Sequence, residues 1–200
     1  MLASTATVRM SALIAVRDLA CVAGERLLFE DMSWSVEAGT VLFVTGANGS
    51  GKSTLLRTLA GLNEGASGAV ELTGSAAYLG HAPGLKPGLT GTEHLRFWAR
   101  LSGVEADVPE GDAFGIRSVM HLPVRALSRG QAQRLALSRL LLDHRPVWLL
   151  DEPTNALDAE ATVALAAALD IHLQQGGAAV VATHETVDLR SPQQTMRIGA

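Results

Sequence analysis

The stretch Gly46-Ala47-Asn48-Gly49-Ser50-Gly51-Lys52-Ser53-Thr54 joins three glycines to a lysine and three hydroxyls at fixed spacing. A polyphosphate needs several backbone N–H groups converging on it, and glycine lets a chain curl that tightly without Cβ clashes. The apolar, β-branched run Thr40-Val41-Leu42-Phe43-Val44-Thr45 reads as a buried strand leading into the loop. Leu55 to Ala60, closed by Gly61, reads as a helix leading out. Strand, glycine loop, Lys-Ser and helix together make a phosphate-binding P-loop. The helix start adds partial positive charge at the same point. In that frame Lys52 reaches the β- and γ-phosphates and Ser53 ligates Mg²⁺.

A second group of chemistry-bearing residues lies downstream. The apolar strand Val147-Trp148-Leu149-Leu150 runs into Asp151-Glu152, a Walker B pattern. Asp151 is placed to hold Mg²⁺ beside Ser53, and Glu152 to orient or deprotonate a water molecule. Between the two patterns stands Leu127-Ser128-Arg129-Gly130-Gln131, opening a helix. Ser128 and the Gly130 N–H at a helix start form a second phosphate-binding edge. This stretch resembles the signature motif of ABC ATPases, usually Leu-Ser-Gly-Gly-Gln, with Arg129 where the first glycine stands. The likeness runs from about Leu13 to Leu189. It implies further site residues. Ala156-Leu157-Asp158 is similar to the D-loop, which communicates across a dimer. His184, after Val180-Val181-Ala182-Thr183, is similar to the switch histidine on the γ-phosphate. His81 stands where the family has a glutamine that senses Mg²⁺ and meets the membrane partner. The family stacks an aromatic ring on adenine from the loop after the first strand. Here that loop is Cys21 to Arg26, without an aromatic, which leaves adenine to Val22 or another apolar side chain.

The elements that must position these residues alternate between strands and helices, with polar groups at strand C-termini. That order predicts an α/β fold with a mostly parallel sheet and its site at that edge. Resemblance specifies it as a P-loop NTPase of the ABC ATPase type. It implies an N-terminal antiparallel β part and a small helical subdomain over about 84–143, within one domain spanning 13–200. Strands are predicted over Leu13–Leu19, Met32–Val36, Ala69–Thr73, Ala76–Leu79 and Ala178–Ala182, the last of the chain. Helices are predicted over Thr92–Leu101 with Thr92 as cap, Gln131–Leu142 and Ala159–Leu173. Val104 to Arg117 gives no clear element, and residues 1–12 read as a flexible lead-in without signal-peptide character.

Composition narrows the class. The chain has 200 residues, 48% hydrophobic and 18% charged, enough for one core-forming domain. A net charge of −4 gives no support for nucleic-acid binding. The lone Cys21 excludes an intramolecular disulfide and suits a reducing compartment. No apolar run approaches the roughly 18 residues that cross a bilayer, so a membrane role must come through partners.

Finer features resemble the ATP-binding subunit of the cytochrome c maturation heme exporter. They are Asp18 to Cys21, Arg26 to Phe29, Leu79 to Pro87, Leu89-Thr90 and Leu95 to Trp98, with no extension after the last predicted strand. This resemblance implies a homodimer binding ATP and Mg²⁺ on the cytoplasmic face of a bacterial inner membrane. Its implied partners are heme exporter proteins B and C, and hydrolysis drives release of a heme-loaded chaperone. Direct heme binding by Cys21, His81 or His94 is not expected. Lys86 to Trp98 is either a docking face for a membrane subunit or an ordinary helix packed on the core. The same ATPase motifs would serve another exporter or importer, or a soluble ABC ATPase. Soluble ones tend to carry paired domains or coiled-coil insertions, and neither is seen here.

Overall fold

A computed structural model describes residues 12–24, 26–103, 112–185 and 187–199. The predicted lead-in lies outside them apart from Ala12, as does most of the stretch after Val104. Three strands, β1 (Ala12–Ala23), β2 (Arg26–Glu37) and β4 (Ala66–Leu72), form an antiparallel sheet in the order β2-β1-β4. Five others form a parallel sheet. These are β3 (Val41–Thr45), β5 (Ala76–Leu79), β6 (Val147–Asp151), β7 (Ala178–Ala182) and β8 (Gln193–Arg197), in the order β5-β6-β7-β3-β8. Every residue of β6 and β7 is buried, as continuous apolar runs must be when both faces of a parallel sheet are covered. One apolar cluster joins Ile14, Val16 and Leu19 of the first sheet to Val44, Leu149 and Val180 of the second.

The first hairpin is longer than its predicted strands, because its alternation is interrupted. Register shifts fall between Val16 and Leu19, and Asp18 and Asp31 take φ of 47° and 51°. Aspartate tolerates that region, and the Ser33 hydroxyl accepts the Asp18 N–H at 2.9 Å. β8 is a correction to the expectation that β7 is the last strand. Gln193 to Arg197 is polar because it lies at the sheet edge, where four of its five side chains are exposed. It is held beside β3 by the Ile198 N–H donating to the Thr45 carbonyl at 2.9 Å.

Four helices are described: α1 (Lys52–Leu59), α2 (Gly91–Leu101), α3 (Arg129–Leu140) and α4 (Ala159–Gln174). The cap of α2 is Thr90, not Thr92. The Thr90 hydroxyl accepts the Glu93 N–H at 3.2 Å and the Glu93 carboxylate accepts the Thr90 N–H at 2.8 Å, a reciprocal capping box. The Thr92 hydroxyl instead donates to the Met120 carbonyl. α2 and α3 share a small apolar cluster with Leu95, Ala99, Ile116, Leu135 and Leu142. His94 is buried within α2, where its Nε2 accepts the Lys86 N–H at 2.7 Å, so it does not face solvent. Arg139 of α3 lies 4.4 Å over the Trp98 ring, joining the two helices by a cation–π contact.

Within the parallel sheet, Trp148 of β6 stacks on His172 of α4 with ring centroids 4.1 Å apart. Burial holds the His172 imidazole below its ordinary pKa, against weaker opposing bonds from the Ala178 and Pro146 backbone. A base with a depressed folded pKa takes up a proton more readily once unfolded, so it subtracts stability as pH falls below the ordinary histidine value of about 6.5. His172→Phe keeps a ring on Trp148 and removes that titration. Urea unfolding from pH 7 to 5 is expected to show a shallower loss of stability for the variant. An unchanged slope would mean that His172 is not buried as a neutral base.

Candidate active site

The site is built at the C-terminal ends of β3, β6 and β7, with α1 rising from the loop after β3. Gly46 has φ 149°, and a Cβ there would run into the Ile198 carbonyl and stand 2.7 Å from Ser50 Oγ. Gly49 and Gly51 take φ of 76° and 105°, a region that favours glycine. Their conformations curl the loop so that Lys52, at the first turn of α1, folds back over it. The Lys52 side chain is 6% exposed, and its ammonium donates to the carbonyls of Gly46 at 2.9 Å and Ala47 at 3.3 Å.

Three strands converge on that ammonium. From the end of β7, His184 Nε2 stands 2.9 Å from Lys52 Nζ and 2.9 Å from Asn48 Oδ1. From the end of β6, Glu152 Oε1 stands 3.3 Å from the same His184 nitrogen and 3.9 Å from Lys52 Nζ. One ring nitrogen cannot accept from Lys52 and donate to Glu152 at once, so its tautomer decides which contact is made. Glu152 has φ 50°, strained for a non-glycine residue, and its N–H donates to the Ala182 carbonyl at 2.8 Å. That bond ties the turn after β6 to β7 and sets Glu152 beside His184.

A cavity of about 710 Å³ opens over these groups. Asn48, Gly49, Gly51, Lys52, Ser53, Thr54, His81, Glu152 and His184, all predicted from sequence, line it. Ala23 and Arg26 of the loop expected to meet adenine also line it, while Leu28 and Asn155 were not anticipated from sequence. Val22 is not among the lining residues. Gly46 and Ala47 act through their carbonyls, and Ser50 is buried inside the loop. Asp151 is 2% exposed and its Oδ1 has no hydrogen-bond partner. A buried carboxylate oxygen without a donor calls for a cation. Among the described residues no three acidic, histidine or cysteine side chains gather as a metal cage. A Mg²⁺ ion, which takes one or two protein ligands and completes its shell with water and phosphate oxygens, suits such a donor set.

The Leu127 to Gln131 residues lie elsewhere, at a second cavity of about 460 Å³ lined by Ser128, Gly130, Gln131, Arg134, Ala156, Leu157 and Asp158 among others. Ser128 caps α3 in a reciprocal box with Gln131. Arg129 is exposed, and the close backbone approach falls at Gly130, where a Cβ would stand 2.8 Å from the Ala156 carbonyl. The buried Gln133 amide donates to the Pro153 carbonyl at 3.0 Å, and Arg134 pairs with Asp158. The bond from the Ala161 N–H, more than the nearby Arg134, holds the Asp158 carboxyl below its usual pKa.

The family model for "ABC transporter" matches residues 29–155. The chain belongs to the ABC transporter family. It is 49% identical over 182 residues to a cytochrome c biogenesis ATP-binding export protein of Paracoccus denitrificans, covering 90% of this chain and 86% of that one. To the protein of the same description from Cupriavidus pinatubonensis it is 45% identical over 193 residues, covering 88% and 85%. The solved structure of an ATP-binding subunit of an ABC transporter superposes with a TM-score of 0.75 at 26% identity, covering 86% of this chain and 79% of that chain. The α/β P-loop architecture and the ATP-binding role of this ABC ATPase follow together.

Lys52 is the buried cation on which the loop closes. Lys52→Ala removes its charge and also the cost of burying it. ATP affinity measured by calorimetry is expected to fall at least about tenfold, the scale of one lost charge-assisted bond, while the melting temperature holds or rises. Unchanged ATP affinity would contradict the assignment.

Proposed function

We propose that the chain is the ATP-hydrolysing subunit of the heme exporter of cytochrome c maturation, working as a homodimer with two nucleotides sandwiched between its copies. The observation that carries this reading is the meeting of Lys52, Glu152 and His184 at one point of the main cavity. The 45–49% identity to cytochrome c biogenesis export proteins supports the choice of transporter.

In this reading the loop from Gly46 to Thr54 binds the α- and β-phosphates through its N–H groups, and Lys52 turns from the Gly46 and Ala47 carbonyls toward the β- and γ-phosphates. Ser53 and Asp151 hold Mg²⁺, whose charge offsets that building up on the phosphate oxygens. Glu152 accepts a proton from the attacking water or orients it for in-line attack. His184 releases Lys52 and donates to the γ-phosphate. His81, with one acceptor or donor nitrogen in place of an amide, reports occupancy to the membrane partner. Ser128, Gly130 and Gln131 of the second copy close over the γ-phosphate, and the segment Ala156-Leu157-Asp158 carries the state of one site to the other. Opening after hydrolysis is a rigid-body motion that pulls on the membrane subunits.

Those subunits are heme exporter proteins B and C, and the chain sits peripherally on the cytoplasmic face of the inner membrane. Among the described residues no helix is long and apolar enough to cross it. α2 supports docking: it buries Leu95 and Ala99 inward while Phe97 and Leu101, next in sequence to Arg96 and Arg100, remain 48% and 60% exposed. Purifying the chain from detergent-solubilised membranes of its host tests the assignment by mass spectrometry of what accompanies it. Heme exporter proteins B and C are expected, and Phe97→Ala is expected to lose them while keeping ATP binding. Recovery of another permease would overturn the heme assignment, and a soluble partner alone would overturn the membrane role.

A further inference from the structure

Asn155 lines the nucleotide cavity with Ser53, His81, Glu152 and His184, yet no motif carries it there. The turn after β6 does. The Asn155 N–H donates to the Glu152 carbonyl at 3.1 Å, closing a turn over residues 152–155. The end Cα atoms of such a turn lie within about 7 Å, so the two residues are neighbours on the cavity wall. Glu152 opens the turn at φ 50° with its N–H on the Ala182 carbonyl, and Ala156, just past Asn155, has φ 64°. Left-handed backbone at two non-glycine residues persists only where the surroundings hold it, and such strain gathers at functional sites. Pro153 and Thr154 are buried inside the turn, and the Gln133 amide fixes the Pro153 carbonyl. Asn155 itself is exposed, and among the described residues its side-chain amide takes part in no hydrogen bond. A fixed backbone thus presents an uncommitted amide to the cavity.

We propose that the Asn155 side chain holds the attacking water together with Glu152 of the same copy, a role resting on the ATP-hydrolysis reading of the site. A water aligned on the γ-phosphorus turns one lone pair to it and both hydrogens away. Glu152 accepts one of those hydrogens, and a single contact leaves the molecule free to rotate about it. The Asn155 Oδ1 accepts the other and removes that freedom. As the new O–P bond forms, the first proton passes to Glu152. The bond from the γ-phosphorus to its bridging oxygen breaks, and its electron pair leaves on ADP. The hydrogen held by Asn155 stays on the inorganic phosphate. An amide suits this position better than a carboxylate. It is uncharged, so it neither repels the phosphates nor raises the proton affinity of Glu152 as a like charge would.

The test is ATP turnover by the complex purified from host membranes, comparing the wild type with Asn155→Ala and Asn155→Asp. Circular dichroism melts establish that each variant chain is folded. In Asn155→Ala, kcat is expected to fall about a hundredfold, the scale of a misplaced reactant, with KM for ATP unchanged. Asn155→Asp keeps an acceptor oxygen and adds a charge beside Glu152, which raises the pH at which Glu152 ionises. Its turnover is therefore expected to exceed that of Asn155→Ala at high pH, with the acid limb of its rate profile moved up from the wild-type position. Wild-type kcat in Asn155→Ala would overturn the proposal. So would a rise in KM that accounts for the loss, or Asn155→Asp no faster than Asn155→Ala at any pH. A contact with the second copy instead would show in Glu152→Gln: adding Asn155→Ala would abolish the dimer held by Mg·ATP, and that result too would overturn the proposal. Failure of the hydrolysis reading itself would look different: Glu152→Gln would turn over ATP as fast as the wild type.

Discussion

The nucleotide site is organised around a buried ammonium. Lys52 lies almost out of water, yet the carboxylate nearest to it stands 3.9 Å away and its shorter contacts are two carbonyls and an imidazole. Desolvating a cation is costly unless hydrogen bonds and charge return most of that cost. The glycines at 46, 49 and 51 exist to bring those carbonyls within reach, and β3, β6 and β7 end together so that His184 and Glu152 complete the shell. A polyphosphate offers this ammonium charged acceptors stronger than the carbonyls and imidazole it holds here. The same pocket is thus tolerable alone and attractive to phosphate.

The remaining architecture links this charge to surfaces that can move. The turn after β6 holds two non-glycine residues at positive φ, Glu152 and Ala156. Between them Pro153 accepts from Gln133, and beyond them Asp158 pairs with Arg134 while capping α4. A few residues therefore join Glu152, the start of α3 and the second cavity into one continuous piece.

Much of this was legible in the sequence because its physics is local. A glycine loop between an apolar strand and a helix, or an apolar run ending in Asp-Glu, is recognisable from spacing alone, and Lys52, Glu152 and His184 do meet. What was not legible depends on distant pairing. β8 is polar because it is an edge, so no periodicity announces it. The aspartates at 18 and 31 break the alternation of the first hairpin, hiding its true length. Thr90 outcompetes Thr92 as a cap because Glu93 stands three residues after it, a spacing that sequence inspection could have used. His94 is buried and accepts the Lys86 N–H, a contact that no periodicity shows. Leu28 and Asn155 reach the cavity through chain folding, and no motif includes them.

The central claim is that Glu152 completes a site formed by two copies of the chain. Light scattering of Glu152→Gln after gel filtration, with and without Mg·ATP, tests it most directly. The amide cannot accept the proton of the attacking water, so ATP should persist and hold the variant as a dimer that is absent without nucleotide. A variant that hydrolyses ATP at the wild-type rate, or stays monomeric with ATP bound, would contradict it.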